Sequence, residues 1–175
     1  GGGGGEYRGR LVVTVWLGDR IKSTPGARIV NVSSVIHKNA TIDFDDLHSE
    51  KSYFTLTAYG RSKLGNVLFT YALARRLRDI GVTANCLHPG VVRSGITRDL
   101  PAFLQPLAKF GGNFMMGPER GARTSLHVAM SPEVGGVTGK YFVKCRETPS
   151  SPSSHDVELQ ERLWRVSAEM TGVDA

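Results

Sequence analysis

The sequence predicts an α/β fold built on a parallel sheet, and three segments carry this prediction. Two short runs rich in apolar and β-branched residues, 28–32 and 82–87, indicate buried strands. Between them lies an amphipathic helix from about Thr57 to Ile80. A strand, a helix and a second strand in this order form a right-handed crossover between parallel strands. Ligands of such sheets bind beyond the carboxyl ends of the strands, so residues at those ends are the first candidates for a functional site.

Length and charge limit the class of protein. The 175 residues, of which 40% are hydrophobic, can bury one core, which predicts a single domain. The net charge of +6 is spread along the chain, and its densest basic group, Arg75, Arg76 and Arg78, is expected on a solvated helix face. Basic and aromatic residues do not interleave, so a nucleic-acid partner is not expected. No apolar run approaches the length of a membrane span, and no signal peptide is recognisable.

The cysteines and acids give no sign of a metal site. Cys86 lies inside a predicted strand and Cys145 near the last one, which matches neither a metal pattern nor a disulfide framework and fits a reducing compartment. The acidic stretch 42–47 lacks the spacing of a cation-binding loop, so we expect a solvated stretch. We therefore predict no metal.

The N-terminal part is less informative. Residues 1–5 are a glycine run with no strand before it, which indicates a tag, linker or placeholder rather than a phosphate-binding loop. The segment from Tyr7 to Lys22 has the β-branched content of a strand and the length of a helix, and both interpretations stay open from the residues alone. A turn at 23–26 then leads into the first strand, which runs into Ser33 and Ser34.

The chemistry is concentrated at the start of the long helix. Tyr59 and Lys63 are four residues apart and therefore share one helix face. A nearby ammonium favours the charged form of a phenol, so this tyrosine could exchange a proton with a substrate oxygen. The spacing alone is weak, because an exposed helix can carry the same pair. Its context adds Ser34 at the end of the preceding strand, and Pro89 and Gly90 after the following one.

The serine, the Tyr-x-x-x-Lys pair and the later Pro-Gly come in an order that resembles the short-chain dehydrogenase/reductase family, in its retinol dehydrogenase-like branch. The resemblance runs from about Glu6 to the C-terminus and implies a Rossmann-like, doubly wound parallel sheet. That sheet is expected to be incomplete, because no Gly-x-x-x-Gly-x-Gly or Gly-x-Gly-x-x-Gly follows a strand and the first strands are missing. Residues 6–175 are thus expected to be the C-terminal portion of one such domain, inactive alone.

The resemblance also implies a role for each residue. Ser34 hydrogen-bonds the substrate oxygen, Tyr59 exchanges its proton, and Lys63 keeps the phenol acidic and binds the nicotinamide ribose. Pro89 and Gly90 form a wall against the nicotinamide ring, where a glycine permits close approach. The implied cofactor-binding residues are Tyr59, Lys63, Pro89, Gly90, Val92 and Ser94. The plainer alternatives are a backbone cap for the serine and an ordinary turn for the Pro-Gly pair.

The implied function is an oxidoreductase that interconverts an alcohol and a carbonyl, with a hydrophobic or retinoid-like substrate, by hydride transfer with NADP(H). NAD(H) is the second option, and an oligomer is left open. The implied location is intracellular and cytoplasm-facing, with endoplasmic reticulum attachment through a missing N-terminal anchor as an option. Glu6 stands where the branch has a catalytic asparagine. A non-catalytic fragment or pseudoenzyme acting through protein contacts is therefore the alternative function.

The remaining segments bear on the fold. The apolar, glycine-punctuated stretch 100–116 is the substrate lid by resemblance and core by composition. A helix is predicted from Pro118 to about Met130 and a final strand at 137–143. The Pro/Ser-rich segment 148–154 is expected to be mobile, and an amphipathic helix from Asp156 to Met170 ends the chain.

Overall fold

The computed structural model of the chain describes residues 18–47, 55–90 and 118–172. Within these ranges the α-helices are α1 (Gly18–Lys22), α2 (Thr55–Arg76), α3 (Pro118–Met130) and α4 (Val157–Thr171). The strands in the same ranges are β1 (Arg28–Val32), β2 (Thr83–His88), β3 (Tyr141–Val143) and β4 (Arg146–Glu147). Short 3-10 helices and turns join them. In the described part of the chain, no helix is long and apolar enough to cross a membrane.

The strands form one sheet in the order β1-β2-β3-β4. β1 and β2 are parallel, with Val32 opposite Leu87. β2 and β3 are also parallel, with His88 opposite Val143, whereas β4 returns antiparallel to β3. The predicted parallel crossover through the long helix is therefore confirmed.

The last parallel strand is shorter than predicted. A strand was expected at 137–143, but β3 begins only at Tyr141. Gly136 and Gly139 adopt left-handed backbone conformations, with φ of 79° and 69°, and these interrupt the extended path. The side chain of Asn85 on β2 compensates, because it both donates to and accepts from backbone groups of this irregular segment.

Helix α2 is the central element. Its predicted apolar positions are all buried, with exposures of 6% or less: Leu64, Val67, Leu68, Tyr71, Ala72 and Leu77. They do not form a single stripe facing the sheet. Val67 packs in a cluster with Cys86 of β2, whereas Leu68 packs with Leu163 of α4. The helix is thus covered by the sheet on one side and by α4 on another, which makes it a buried support for the side chains near its start.

The end of α2 follows the glycine that predicted it. The helix stops at Arg76, and a 3-10 turn over Arg78–Ile80 leads to Gly81. Gly81 has φ 71°, the left-handed conformation typical of a residue that follows a helix. The predicted helix from Thr57 to Ile80 therefore starts two residues early in the structure, at Thr55, and its last turn is a separate 3-10 turn.

Helices cover both faces of the sheet. Successive side chains of β2 point to opposite faces, so Cys86 packs against α2 while Leu87 packs with Val128 of α3. Helix α4 lies against α2 on the outer side of that layer. This is the doubly wound α/β arrangement that was expected.

The basic group at the end of α2 was expected on a solvated helix face, and Arg76 and Arg78 are exposed while Arg75 is partly exposed. Arg75 and Arg76 both bind Glu161 of α4, with N–O distances of 2.6 and 2.7 Å. The Arg76 guanidinium also lies 4.1 Å from the ring centroid of Trp164. Hydrogen bonds from Arg76 and then Arg75 lower the pKa of Glu161 to about 2. On this solvated face Arg75 and Arg76 therefore also fasten α2 to α4.

The Pro/Ser-rich segment was expected to be mobile, and this is also wrong. Ser151 and Ser154 are buried, at 2% and 0% exposure, and a 3-10 turn covers Pro152–His155. The Ser150 hydroxyl lies 2.7 Å from the hydroxyl of Tyr71 on α2. Here small hydroxyl side chains form hydrogen bonds with one another and with backbone groups. The segment is therefore buried although its composition is polar.

Candidate active site

The two serines after β1 have different environments. Ser33 is buried, and its hydroxyl donates to the backbone carbonyl of Lys63 at 2.7 Å. Ser34 is partly exposed and precedes the 3-10 turn Val35–Asn39. Its Oγ accepts a long hydrogen bond of 3.5 Å from the Ile36 N–H. Ser34 therefore makes the backbone cap that the plainer alternative requires, and it remains partly exposed at the end of the strand.

Tyr59 and Lys63 share a face of α2, as predicted from their spacing. The Lys63 Nζ lies 5.0 Å from the centroid of the Tyr59 ring. The tyrosine is 45% exposed, whereas the lysine is only 7% exposed. An exposed phenol beside a buried ammonium is the reverse of what side-chain hydrophobicity favours. The pair therefore presents a hydroxyl to solvent with a cation behind it.

Hydrogen bonds pin the end of β1 to the part of α2 that carries this pair. Asn66 Nδ2 donates to the Val32 carbonyl at 3.1 Å, three residues beyond Lys63. The Ser33 bond to the Lys63 carbonyl lies one turn earlier. One bond is buried and the other partly buried, and both join the strand end directly to the helix, so they set the position of the serine turn relative to α2.

A glycine allows the helix and the serine turn to come close. A Cβ placed on Gly60 would lie 3.4 Å from the Cβ of Ala40 and 3.7 Å from Cγ1 of Ile36. A larger side chain there would push the start of α2 away from the turn that follows Ser34. Gly60 therefore brings the element that carries Tyr59 against the element that Ser34 begins.

The acidic stretch 42–47 also contacts the first turns of α2. Asp43 caps the 3-10 turn Phe44–Asp46 by accepting from the Asp45 N–H at 3.0 Å. Arg61 of α2 donates to the Asp46 carbonyl at 2.6 Å and lies 4.0 Å from the Asp43 carboxylate. These contacts hold the chain before α2 against the first turns of the helix.

The carboxyl ends of β1 and β2 meet at one edge of the sheet. The Ser33 N–H donates to the Leu87 carbonyl at 2.7 Å, which joins the two strand ends. Pro89 and Gly90 follow β2 at this edge, and Gly90 has φ 94°. Both line a cleft of about 1110 Å³ between α3 and the β3–β4 turn. Ser34, Tyr59 and Lys63 are absent from the lining of that cleft.

Comparison with known proteins decides the family. The family model of the short chain dehydrogenases matches residues 7–105, which is more than half of the chain and includes the serine turn, all of α2 and the end of β2. The chain belongs to the short-chain dehydrogenase family. The sequence-based resemblance to this family is thereby confirmed.

Relatives within the family are retinol dehydrogenases. Retinol dehydrogenase 14 of Homo sapiens is 43% identical over 173 residues, which are 97% of this chain and 52% of that protein. Retinol dehydrogenase 12 of Homo sapiens is 44% identical over 170 residues, 97% of this chain and 54% of that protein. The chain thus spans about half the length of the curated relatives it matches.

A solved structure supports the fold. The crystal structure of an uncharacterised protein from Mycobacterium paratuberculosis superposes with a TM-score of 0.70 and 25% identity. The match covers 95% of this short-chain dehydrogenase chain and 57% of the crystallised one. The arrangement of strands and helices described above is therefore shared with an experimental structure.

The other residues that the family resemblance suggested are only partly described. Val92 and Ser94, the predicted cofactor contacts beyond the Pro-Gly pair, lie outside the described residues. The same holds for Glu6 and for the apolar stretch 100–116. The structure of this short-chain dehydrogenase therefore places Lys63 beside Tyr59 on α2 and joins the serine turn to that helix through Ser33. It places Pro89 and Gly90 after β2 and leaves the remainder as predictions.

The cleft contains a buried polar atom that sequence reasoning missed. His88, the last residue of β2, lines the cleft, and its buried Nδ1 has no hydrogen-bond partner among the described residues. Burial, together with the nearby His37, lowers the pKa of His88, so the neutral ring is favoured.

Sequence reasoning also missed the residues that hold the site together. Ser33 was passed over because only the second serine fits the family pattern. The role of Asn66 could have been predicted, since an amide inside an otherwise apolar helix stripe usually has a buried hydrogen-bond partner. The role of Gly60 could also have been predicted. A glycine inside a helix costs about 1 kcal/mol of stability relative to alanine, so its presence there indicates that another element packs closely against it.

Proposed function

We propose that this protein is an oxidoreductase that interconverts an alcohol and a carbonyl compound with a nicotinamide cofactor. Membership of the short-chain dehydrogenase family supports the reaction class. The observation that carries the proposal is the exposed Tyr59 ring with the Lys63 Nζ at 5.0 Å, on a helix start pinned to the Ser34 turn.

The three side chains divide the work in this proposal. In the oxidative direction Tyr59 accepts the hydroxyl proton of the alcohol, while Ser34 holds the same oxygen by a hydrogen bond. In the reductive direction Tyr59 returns a proton to the carbonyl oxygen. The Lys63 ammonium stabilises the negative phenolate, and its burial means that solvent screens this attraction less than on a surface.

The described residues fit the nicotinamide end of such a cofactor. Gly90 has no side chain and a positive φ, so a flat ring can approach its backbone. His88 lines the same cleft. Tyr59 and Lys63 would hold the ribose, and the bound cofactor supplies or accepts the hydride. We propose NADP(H), by resemblance to the retinol dehydrogenase-like branch, with NAD(H) as the second option.

We propose a hydrophobic, retinoid-like alcohol or aldehyde as the substrate. The relatives named above are retinol dehydrogenases by name. Apolar side chains also line the cleft beside Pro89 and Gly90, where Leu126 is 57% exposed and Met130 is 72% exposed. Exposed aliphatic groups in a concave site gain free energy when an apolar ligand covers them.

We propose an intracellular, reducing location. Cys86 and Cys145 are both free thiols, with Cys86 fully buried in the sheet. Free thiols of this kind fit the cytoplasmic side of the cell, where disulfides are rare. Attachment to the endoplasmic reticulum membrane is part of the proposal by resemblance alone.

Substitution of the candidate tyrosine tests the proposal. In the full-length protein, Tyr59→Phe removes only the proton-exchanging hydroxyl and should reduce kcat for retinal reduction at least 100-fold, the order expected for loss of a general acid. Cofactor affinity, measured by fluorescence titration, should change less than about threefold, because the other proposed cofactor contacts remain.

A matched control is available in the sheet. The Tyr141 hydroxyl is buried and has no hydrogen-bond partner in the described ranges, so Tyr141→Phe makes the same chemical change at a hydroxyl with no proposed role and keeps the aromatic ring. This control should keep its kcat and should not lose stability. If Tyr59→Phe retains turnover within tenfold of the parent while Tyr141→Phe behaves as stated, the assignment of Tyr59 is wrong.

A further inference from the structure

A buried histidine behind the candidate serine has no part in the proposed chemistry. His37 lies in the 3-10 turn Val35–Asn39 and is 0% exposed. Its ring meets Tyr141 edge to face, with 4.8 Å between ring centroids. Burial of an imidazole is costly unless both ring nitrogens find partners, so those partners indicate what the residue holds.

Both nitrogens are satisfied by backbone groups. Nε2 accepts a hydrogen bond from the Ser151 N–H at 3.1 Å, so Nε2 carries no proton. The ring proton is therefore on Nδ1, which donates to the Ser34 carbonyl at 2.6 Å. The His37 backbone N–H donates to the same carbonyl at 3.1 Å. One neutral tautomer thus links the candidate serine to a distant part of the chain.

The distant part is itself anchored. We call residues 150–155 the serine segment. The Ser151 carbonyl accepts from both the N–H and the hydroxyl of Ser154, at 3.0 and 2.6 Å. The Ser150 hydroxyl lies 2.7 Å from the Tyr71 hydroxyl of α2, and Gln160 of α4 donates to the Ser154 carbonyl at 2.7 Å. The serine segment is therefore attached to the same helix that carries Tyr59 and Lys63.

We propose that His37 is a positioning residue for Ser34, which it holds at a set place relative to α2 by bridging the Ser34 carbonyl to the serine segment. The inference rests on the proposed function, because His37 would affect turnover only through the Ser34 hydroxyl. A hydroxyl that must meet the same substrate oxygen as Tyr59 has little tolerance for displacement, since an error of about 1 Å can cost on the order of 100-fold in rate.

Two substitutions separate the two bonds of the ring. His37→Asn places an amide nitrogen near the position of Nδ1, so it keeps a donor for the Ser34 carbonyl and loses the Ser151 contact. His37→Gln places its amide near the position of Nε2, so it keeps an acceptor for the Ser151 N–H and loses the Ser34 contact. Each variant loses one hydrogen bond and part of the ring volume, which makes the pair matched for stability.

Turnover distinguishes positioning from general structural support. We expect His37→Gln and His37→Asn each to lower kcat of the full-length enzyme about 10- to 100-fold with little change in KM, because each variant breaks one end of the bridge. In the double variant Ser34→Ala/His37→Gln, kcat should be no lower than in Ser34→Ala alone, because His37 acts through that hydroxyl. Parental kcat in both His37 variants, or additive losses in the double variant, would overturn the inference.

Amide hydrogen exchange supplies a readout that needs no turnover. His37→Asn should speed exchange of the Ser151 N–H, and His37→Gln should speed exchange of the residue-37 N–H that donates to the Ser34 carbonyl. If Ser34→Ala leaves kcat unchanged, the proposed function of Ser34 fails, whereas the bridge itself is still judged by exchange. Unchanged exchange at both amides would show that the bridge does not hold the turn.

Discussion

Single residues at the site are placed against their usual preferences, and these placements carry the functional argument. Tyr59 is largely exposed, Lys63 is buried, and His37 is buried in its neutral form. Each placement costs free energy unless specific partners compensate for it. Such residues are where a fold gives up stability for function, which is why they support the proposed chemistry better than the motif spacing alone.

The buried histidine makes stability depend on pH. Desolvation lowers the pKa of His37 below its ordinary value of 6.5, the hydrogen bond to Ser34 acts in the opposite direction, and Lys38 lowers it further. The unfolded chain takes up a proton on this ring near pH 6.5, whereas the folded chain does not. The free energy of unfolding should therefore fall as the pH drops from that value toward the lowered pKa, by up to about 1.4 kcal/mol per pH unit for one histidine.

Urea unfolding of the full-length protein at about pH 7.5 and about pH 5.5 measures this dependence. His88, which faces His37 and whose pKa is also lowered by burial, adds a loss of its own in the same direction. His37→Gln removes one of the two titrating rings, so its stability should differ less between the two pH values than that of the parent. The same difference in both proteins would contradict the neutral buried state of His37.

At the scale of elements, α2 is held at its middle and at its end. Its middle, at Lys63 and Asn66, is bound to the end of β1, and its end is bound to α4 through Glu161. A helix fixed in this way keeps the Tyr–Lys pair in place while leaving the tyrosine open to a ligand. Preorganisation of this kind is what a proton-transfer site requires.

The contact between α2 and α4 predicts a modest, salt-dependent stabilisation. Glu161→Gln should lower the free energy of unfolding by about 1 kcal/mol at low salt and by less in about 1 M salt, because the glutamate is partly exposed and its ion pairs are screened. Glu169→Gln on the exposed surface of α4 is the matched control and should have almost no effect. Equal losses in the two variants, measured by urea unfolding, would mean that the arginine cluster does not join the helices.

The sequence predicted those elements whose signals are local. β1, α3 and the end of α2 at Gly81 follow from β-branched runs, a helix-starting proline and a helix-ending glycine. The 137–140 segment and the serine segment could not be predicted, because their conformations depend on partners elsewhere, Asn85 in one case and His37 in the other. The same holds within the site. The order of serine, tyrosine and lysine is visible in the sequence, whereas the roles of Ser33 and His37 appear only in three dimensions.

At the scale of the whole molecule, the described chain is a parallel sheet with helices on both faces and a candidate catalytic junction at one edge. It matches about half the length of its retinol dehydrogenase relatives. Among residues 18–47, 55–90 and 118–172, no glycine-rich dinucleotide motif follows a strand, so no turn that would bring backbone amides to a pyrophosphate is found there. The activity proposed here is accordingly assigned to the full-length protein, and the 175-residue polypeptide alone should be inactive.

Transfer of deuterium from NADPH labelled at the reactive nicotinamide carbon to retinal tests the central claim most directly. The full-length protein should form retinol that is one mass unit heavier, while Tyr59→Phe and the 175-residue polypeptide should form almost none. Tyr141→Phe should match the parent. Absence of labelled product from the correctly folded full-length protein with NADPH or NADH would contradict the oxidoreductase assignment for this substrate and favour a non-catalytic role. Labelled product from Tyr59→Phe at the parental rate would contradict the role of Tyr59.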